Sequence, residues 1–150
     1  MNVIILGCGR VGSSLARLMY KDGHSVTIID LQSEAFRRLS AKFKGTRLVG
    51  NGIDEDVLRR AGIESCDVFI AVTQGDNRNI MASQIAREVF KVPKVMTRIN
   101  DPIRADAYRK LGITTLCGTT ILSGLIRDYI NTSEWGLKKD YSKEYIELNV

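Results

Sequence analysis

Residues 2–30 constrain the fold most tightly. The segment opens with the apolar run "NVIIL", meets the turn Gly7-Cys8-Gly9-Arg10-Val11-Gly12, becomes an amphipathic stretch, and ends in a second apolar run, "SVTIID", closed by Asp30. This order of a β-branched run, a G-x-G-x-x-G turn, a helix-period segment and a terminal acid is that of a phosphate-binding βαβ unit. Gly7 permits the tight turn, Gly9 lets a diphosphate come close to the backbone, and Gly12 lets helix and strand pack closely. The free N–H groups at the helix start, at the positive end of its dipole, then face the phosphates. The Asp30 carboxylate suits the two hydroxyls of an adenosine ribose and would repel a 2′-phosphate, which disfavours NADP. Arg37 and Arg38 follow further along and read as an exposed helix face.

The same cadence continues through the chain. Apolar runs at "TRLVGN", "DVFIAVT", "KVMTRI" and "TTLCG" alternate with helix-period segments. The expected helices are Val11 to Asp22, Ser33 to Phe43, Asp54 to Ala61, Asn77 to Phe90, Pro102 to Leu111 and Ile121 to Ile130. Runs that are apolar throughout, rather than alternating, belong to strands covered on both faces. The fold class is therefore α/β: a Rossmann-type, doubly wound parallel sheet of about six strands with helices on both faces. Gly23, Gly62 and Gly112 stand where left-handed helix caps belong. Asp54 and Asp101 stand at N-caps, with Pro102 at a first helical position.

Composition narrows the function classes. The chain has 150 residues, a net charge of +5 and 44% hydrophobic residues, a soluble single-domain composition. Its longest apolar runs are strand-sized, far short of the roughly 20 residues a membrane span needs. No secretory leader is readable at the start. Basic residues are interspersed with acids, as in "IDEDVLRR", and no aromatic-plus-basic cluster points to nucleic acid. Cys8, Cys66 and Cys117 are widely spaced, which reads as free thiols in a reducing compartment. His24 is the single histidine, so a zinc site or a histidine-based triad is not expected. No Tyr-x-x-x-Lys pair is present, and no catalytic residues are assigned.

Three further segments follow apolar runs at the ligand end of the expected sheet: "VGNGIDEDVL", "VTQGDNRNI" and "TRINDP". Thr73, Asp76, Asn77 and Asn79 are candidate caps of the next helix. Arg98 closes an apolar strand and needs a partner there, for which Asp101 is the nearest carboxylate.

Together, "GCGRVGSSLARLMYKDGHSVTIID", "GNGIDEDVLRRAGIESCDVFIAVTQGDNRNI" and "TRINDPIRADAYRKLGI" resemble the RCK or KTN (TrkA-N) domain of Trk/Ktr-type potassium-uptake regulatory subunits and ligand-gated potassium channels. The resemblance spans about residues 1–131. It implies a non-catalytic cytoplasmic regulator that binds NAD(H) or an adenine nucleotide (ATP, ADP or AMP). It implies dimers assembled into a ring beneath an integral-membrane potassium channel or transporter, placed at the inner face of the membrane through that partner.

The resemblance also implies a binding set. Gly7, Gly9, Val11 and Gly12 would hold phosphates, with Asp30 and Leu31 at the ribose and Arg10 at terminal phosphates. Thr73 would lie by the ribose and phosphates, Gly75 and Asn77 belong to the same binding set, and Arg98 would reach a phosphate or a neighbouring subunit. Where the family usually has Gly-Asp-Ala-Thr, this chain has Gly50-Asn51-Gly52-Ile53, so Asn51, Gly52 and Ile53 would meet the adenine, with an uncharged amide in place of the acid. Residues 132–150 read as a linker ending in the strand-like "YIELNV", similar to the first strand of a smaller C-terminal domain. Ile121, Leu122, Leu125, Ile126, Tyr129 and Ile130 exceed what one buried helix face requires, and the expectation is that this helix packs on another subunit. The alternative reading is the cofactor domain of an NAD-dependent oxidoreductase; a scaffold with a vestigial pocket is a third.

Overall fold

The computed structural model describes residues 1–132; the segment "YIELNV" and the linker before it lie outside the described residues. Six parallel strands form one sheet in the order β3-β2-β1-β4-β5-β6. They are β1 (Asn2–Leu6), β2 (Ser25–Asp30), β3 (Thr46–Val49), β4 (Val68–Ala71), β5 (Lys94–Arg98) and β6 (Thr114–Leu116). The expected doubly wound sheet is the observed one. Its direction of winding reverses between β1 and β4, which pair directly from Val3↔Val68 to Leu6↔Ala71. Strand ends diverge at such a reversal, and a crevice opens there.

The apolar strands are buried on both faces, as their composition requires. On one face Val3, Ile5, Val26 and Ile28 pack with Ala16 of α1 (Arg10–Lys21) and with Leu39 and Phe43. On the other, Ile4, Leu6, Ile29, Phe69 and Ala71 pack with Val57 and Leu58 of α2 (Glu55–Arg60) and Ala82 of α3 (Asp76–Gln84). A smaller cluster joins Ile80 of α3, Ile99, Ala105 of α4 (Pro102–Lys110) and Cys117, the residue before α5 (Gly118–Thr132).

Local signals account for most boundaries. Gly23, Gly62 and Gly112 adopt φ near +82° to +85°, the left-handed conformation a helix end asks of glycine. The Asp54 carboxylate accepts from the Asp56 N–H at 2.9 Å, and the Asp101 carboxylate accepts from the Ile103 and Arg104 N–H groups. Two elements differ from expectation. The helix expected over Ser33 to Phe43 is a short 3₁₀ helix, Ser33–Arg38, after which Leu39 is extended. Leu39 and Phe43, spaced like a helical stripe, instead reach the core from irregular chain. The helix after β4 is α-helical to Gln84 and continues as a π turn, Ile85–Val89.

The apolar side chains of α5 remain outside the core: Ile121, Leu122, Ile126, Tyr129 and Ile130 are all exposed. Among the described residues no helix is long and apolar enough to cross a membrane.

Candidate functional site

The carboxyl ends of β1, β2, β4 and β5 surround a cleft of about 680 Å³. Its floor is the glycine turn. Gly7 has φ +104°, and a β-carbon there would press on Thr73. A β-carbon on Gly12 would stand 1.8 Å from the Gly7 carbonyl oxygen, so α1 can approach β1 this closely only through glycine. Gly9 lines the cleft with nothing within 4 Å of where its β-carbon would stand. The turn is thus packed from behind at Gly7 and Gly12 and open in front at Gly9. An open backbone at a helix start is the geometry that receives a phosphate.

Asp30 holds the turn in shape. One carboxylate oxygen accepts from the Cys8 N–H at 2.7 Å, and the other from the Gln32 N–H at 3.0 Å. The Cys8 side chain points inward, fully buried, and its S–H donates to the Ala35 carbonyl at 3.4 Å. Burial first, and the Asp30 carboxylate second, push this thiol up to about 11, while Arg38, Arg47 and Arg17 pull in the opposite direction. Cys8 is therefore a packing group rather than a reactive thiolate.

The opposite wall is organised by Asn79, which is fully buried. Its side-chain oxygen accepts from the Thr73 N–H at 2.9 Å and the Thr73 hydroxyl at 2.7 Å. Its amide N–H₂ donates to the carbonyls of Thr73 at 3.0 Å and Arg98 at 2.9 Å. One amide thereby fixes the end of β4 to the end of β5. Asp76 adds a second tie, its carboxylate accepting from the Asn100 and Asp101 N–H groups. The expectation that Asp76, Asn77 and Asn79 cap α3 is corrected: Gly75 occupies the cap position, without a side-chain bond. Asp76 and Asn79 are engaged across the sheet, and Asn77 accepts from Arg104.

Arg98 also departs from expectation. Asp101 caps α4 through one carboxylate oxygen, and among the described residues no hydrogen bond or ion pair joins it to Arg98. The Arg98 Nε is buried and has no hydrogen-bond partner among the described residues, and Arg98 lines the cleft. Arg10, Arg38 and Arg78 line it as well, against one acid, Asp30. Arginine side chains and an open glycine turn lining one cleft form a donor set suited to phosphate oxygens.

Of the residues expected at the site, the cleft brings together Gly7, Gly9, Arg10, Val11, Asp30, Leu31, Gly52, Thr73 and Arg98. Gly12 packs beneath it. Asn51, Ile53, Gly75 and Asn77 are not in its lining. Asn51 is instead turned to its own backbone, where its side-chain oxygen accepts from the Ile53 N–H at 3.4 Å. The reading of the sequence missed Gln32, Ala35, Gln74 and Arg78, which line the cleft. Asn79 shapes it, and its only signal was a polar residue at a core-facing helical position. Among the described residues there is no group of three His, Cys, Asp or Glu side chains able to hold a metal ion.

The TrkA-N domain model matches residues 3–118. A Trk system potassium uptake protein TrkA from Streptomyces coelicolor is 51% identical over 116 residues, covering 77% of this chain and 52% of that protein. The chain thus spans about half the length of this curated relative. Solved structures with the same fold include the Shewanella denitrificans Kef C-terminal domain in its AMP-bound form (TM-score 0.72, 20% identity, 92% of this chain and 83% of that one). The GsuK protein bound to ADP aligns at a TM-score of 0.74 with 19% identity over 89% of this chain and 34% of that one. The GsuK channel bound to NAD aligns at 0.69 with 18% identity over 81% and 22%.

Proposed function

The chain belongs to the TrkA-N domain family, and from that premise we propose that it is a nucleotide-binding regulatory module of a potassium-uptake system, without catalytic turnover of its own. The observation that carries this reading is that Arg98, whose buried Nε has no hydrogen-bond partner among the described residues, lines the same cleft as the open turn at Gly9. Leaving a buried donor unpaired costs about 1–3 kcal/mol, a cost that an anionic ligand removes. The residues present fit an adenine nucleotide. The loop N–H groups from Gly9 to Gly12, with Arg10, Arg78 and Arg98, would hold phosphates. Asp30 would hold ribose hydroxyls through its remaining lone pairs, and Leu31 and Gly52 would border the base. Structural neighbours bound to AMP, ADP and NAD support the class of ligand.

Regulation follows from differential affinity. A bound nucleotide shifts a partner only if it binds two arrangements of the domain unequally. The exposed apolar face of α5 is the surface we assign to a second copy, and the ring of such dimers to a membrane potassium channel or transporter at the cytoplasmic face. The test is thermal unfolding of the chain with ATP, ADP, AMP, NAD and NADH, with and without magnesium. A ligand at about a hundred times its dissociation constant stabilises by about 2.7 kcal/mol, and at this size each kcal/mol is about 2–4 °C. Shifts that differ between ATP and ADP, or NAD and NADH, support a sensor. No shift with any of the five overturns nucleotide binding.

A further inference from the structure

The 3₁₀ helix after β2 changes what the ribose end of the cleft can accept. In a 3₁₀ helix, side chains three apart lie directly above one another. Ala35 and Arg38 have that spacing within the helix, and Gln32 is its extended N-cap; all three line the cleft, whereas the adjacent Arg37 does not. The base of this row is fixed, because the Cys8 S–H bonds to the Ala35 carbonyl and the Gln32 N–H bonds to Asp30. Ala35 is small and buried, whereas Gln32 and Arg38 on either side of it in the sequence are exposed. Among the described residues no hydrogen bond or ion pair engages the Arg38 guanidinium.

We propose that the cleft carries a second anion subsite, formed by Arg38 with the row from Gln32 to Ala35, for a phosphate on the ribose of the bound adenosine. The proposal rests on the nucleotide reading above and deepens it. Considered by itself, Asp30 repels a ribose phosphate, which is the sequence argument against NADP. In the folded chain both of its oxygens accept backbone N–H groups at 2.7 and 3.0 Å, which draw its charge toward the turn. Arg38 supplies an opposite charge on the same wall, near enough to act on the Cys8 thiol. Arginine suits this role because its planar fork meets a phosphate with two parallel N–H groups and stays charged. The ligand class is an adenosine phosphomonoester at the 2′ or 3′ position, as in NADP(H) or a 3′-phosphoadenosine.

A matched set of small probes tests this: AMP, adenosine 2′,5′-bisphosphate and adenosine 3′,5′-bisphosphate, titrated calorimetrically into the chain. The expected result is that one bisphosphate binds at least as tightly as AMP, which position it carries identifying the source. Arg38→Gln then lowers the bisphosphate-to-AMP affinity ratio about tenfold, while Arg37→Gln leaves that ratio within twofold. If both bisphosphates bind ten times more weakly than AMP, or if Arg38→Gln leaves the ratio unchanged, the subsite is overturned. If AMP, ATP and NADH all fail to bind, the nucleotide reading itself falls, which is a different outcome from weak bisphosphates beside tight AMP. Circular dichroism of Arg38→Gln separates a folding defect from a lost contact.

Discussion

Gly9 and Gly12 lie three residues apart in one turn, and the structure assigns them opposite consequences on substitution by alanine. At Gly12 the added β-carbon would stand 1.8 Å from the Gly7 carbonyl oxygen and 3.2 Å from the Val72 side chain. Carbon and oxygen do not approach so closely, so α1 must move by about 1 Å or more from β1. Overpacking of this kind costs about 1–3 kcal/mol, a fall in melting temperature of roughly 2–12 °C for a chain of this size. At Gly9 nothing lies within 4 Å, and φ is −74° with ψ −166°, which alanine adopts without strain. Two smaller terms oppose each other there. Reduced freedom of the unfolded chain stabilises by about 0.4–1 kcal/mol, and alanine is a poorer helix cap than glycine by a similar amount. Gly9→Ala should therefore melt within about 3 °C of the unsubstituted chain. Its methyl group stands in the open front of the turn, so it should weaken ADP or NADH at least tenfold, about 1.4 kcal/mol. Differential scanning fluorimetry and calorimetric titration of both variants decide the matter. Nucleotide affinity within twofold in Gly9→Ala would refute the placement of phosphates at this turn. A Gly9→Ala chain as unstable as Gly12→Ala would refute the division between packed and open faces.

Removing the orphaned donor by Arg98→Met should stabilise the ligand-free chain in urea by about 1 kcal/mol and weaken nucleotide binding at least tenfold; a destabilised variant would show that the guanidinium is satisfied within the fold. Asn79→Ala strands four groups of Thr73 and Arg98 and should cost about 3 kcal/mol in urea denaturation with an unchanged slope. The Cys8 thiol is raised to about 11 from an ordinary 9.0 in the unfolded chain. Between those values the unfolded state has released a proton that the folded state keeps, so stability falls as pH rises from about 9 to 11. That pH slope should be smaller in Cys8→Ala, compared by melting at fixed ionic strength.

The sheet was legible because burial on both faces leaves a signature that does not depend on partners: short unbroken runs such as "VIIL" and "VFIA", β-branched and bounded by turn residues, read as interior strands. The glycine turn was legible for the same reason, since Gly7 and Gly12 answer to local geometry. The segment after β2 was not. Leu39 and Phe43 are four apart, which reads as one face of an α-helix, yet the chain becomes extended at Leu39 and both side chains enter the core from loop. Asn79 was illegible for another reason. Its bonds to Thr73 and Arg98 span six and 19 residues, and no local pattern records a contact made across two strand ends. Arg98 misled because Asp101 stands three residues away. The competition between pairing with that arginine and capping α4 was settled by two backbone N–H groups at 2.9 and 3.0 Å.

These ties run in one direction, from the cleft to α5. Thr73 borders the cleft and is bonded to Asn79, which holds the Arg98 carbonyl. Past Ile99, Asn100 and Asp101 donate their N–H groups to Asp76 at 2.9 and 3.2 Å. The Asn100 carbonyl in turn accepts from the Thr119 hydroxyl at 2.8 Å and the Cys117 thiol at 3.4 Å, at the first turn of α5. A hydrogen bond of this kind contributes about 1 kcal/mol net. A ligand that discriminates a hundredfold between two arrangements of the loop after β4 supplies about 2.8 kcal/mol. That exceeds the combined contribution of the two bonds that seat the start of α5 on Asn100, one of them from a thiol. A nucleotide contact at Thr73 or Arg98 is therefore of the right size to reposition the helix that exposes Ile121, Leu122, Ile126 and Ile130. A contact confined to Asp30 and the ribose, on the far side of β1, is not connected to α5 by these bonds.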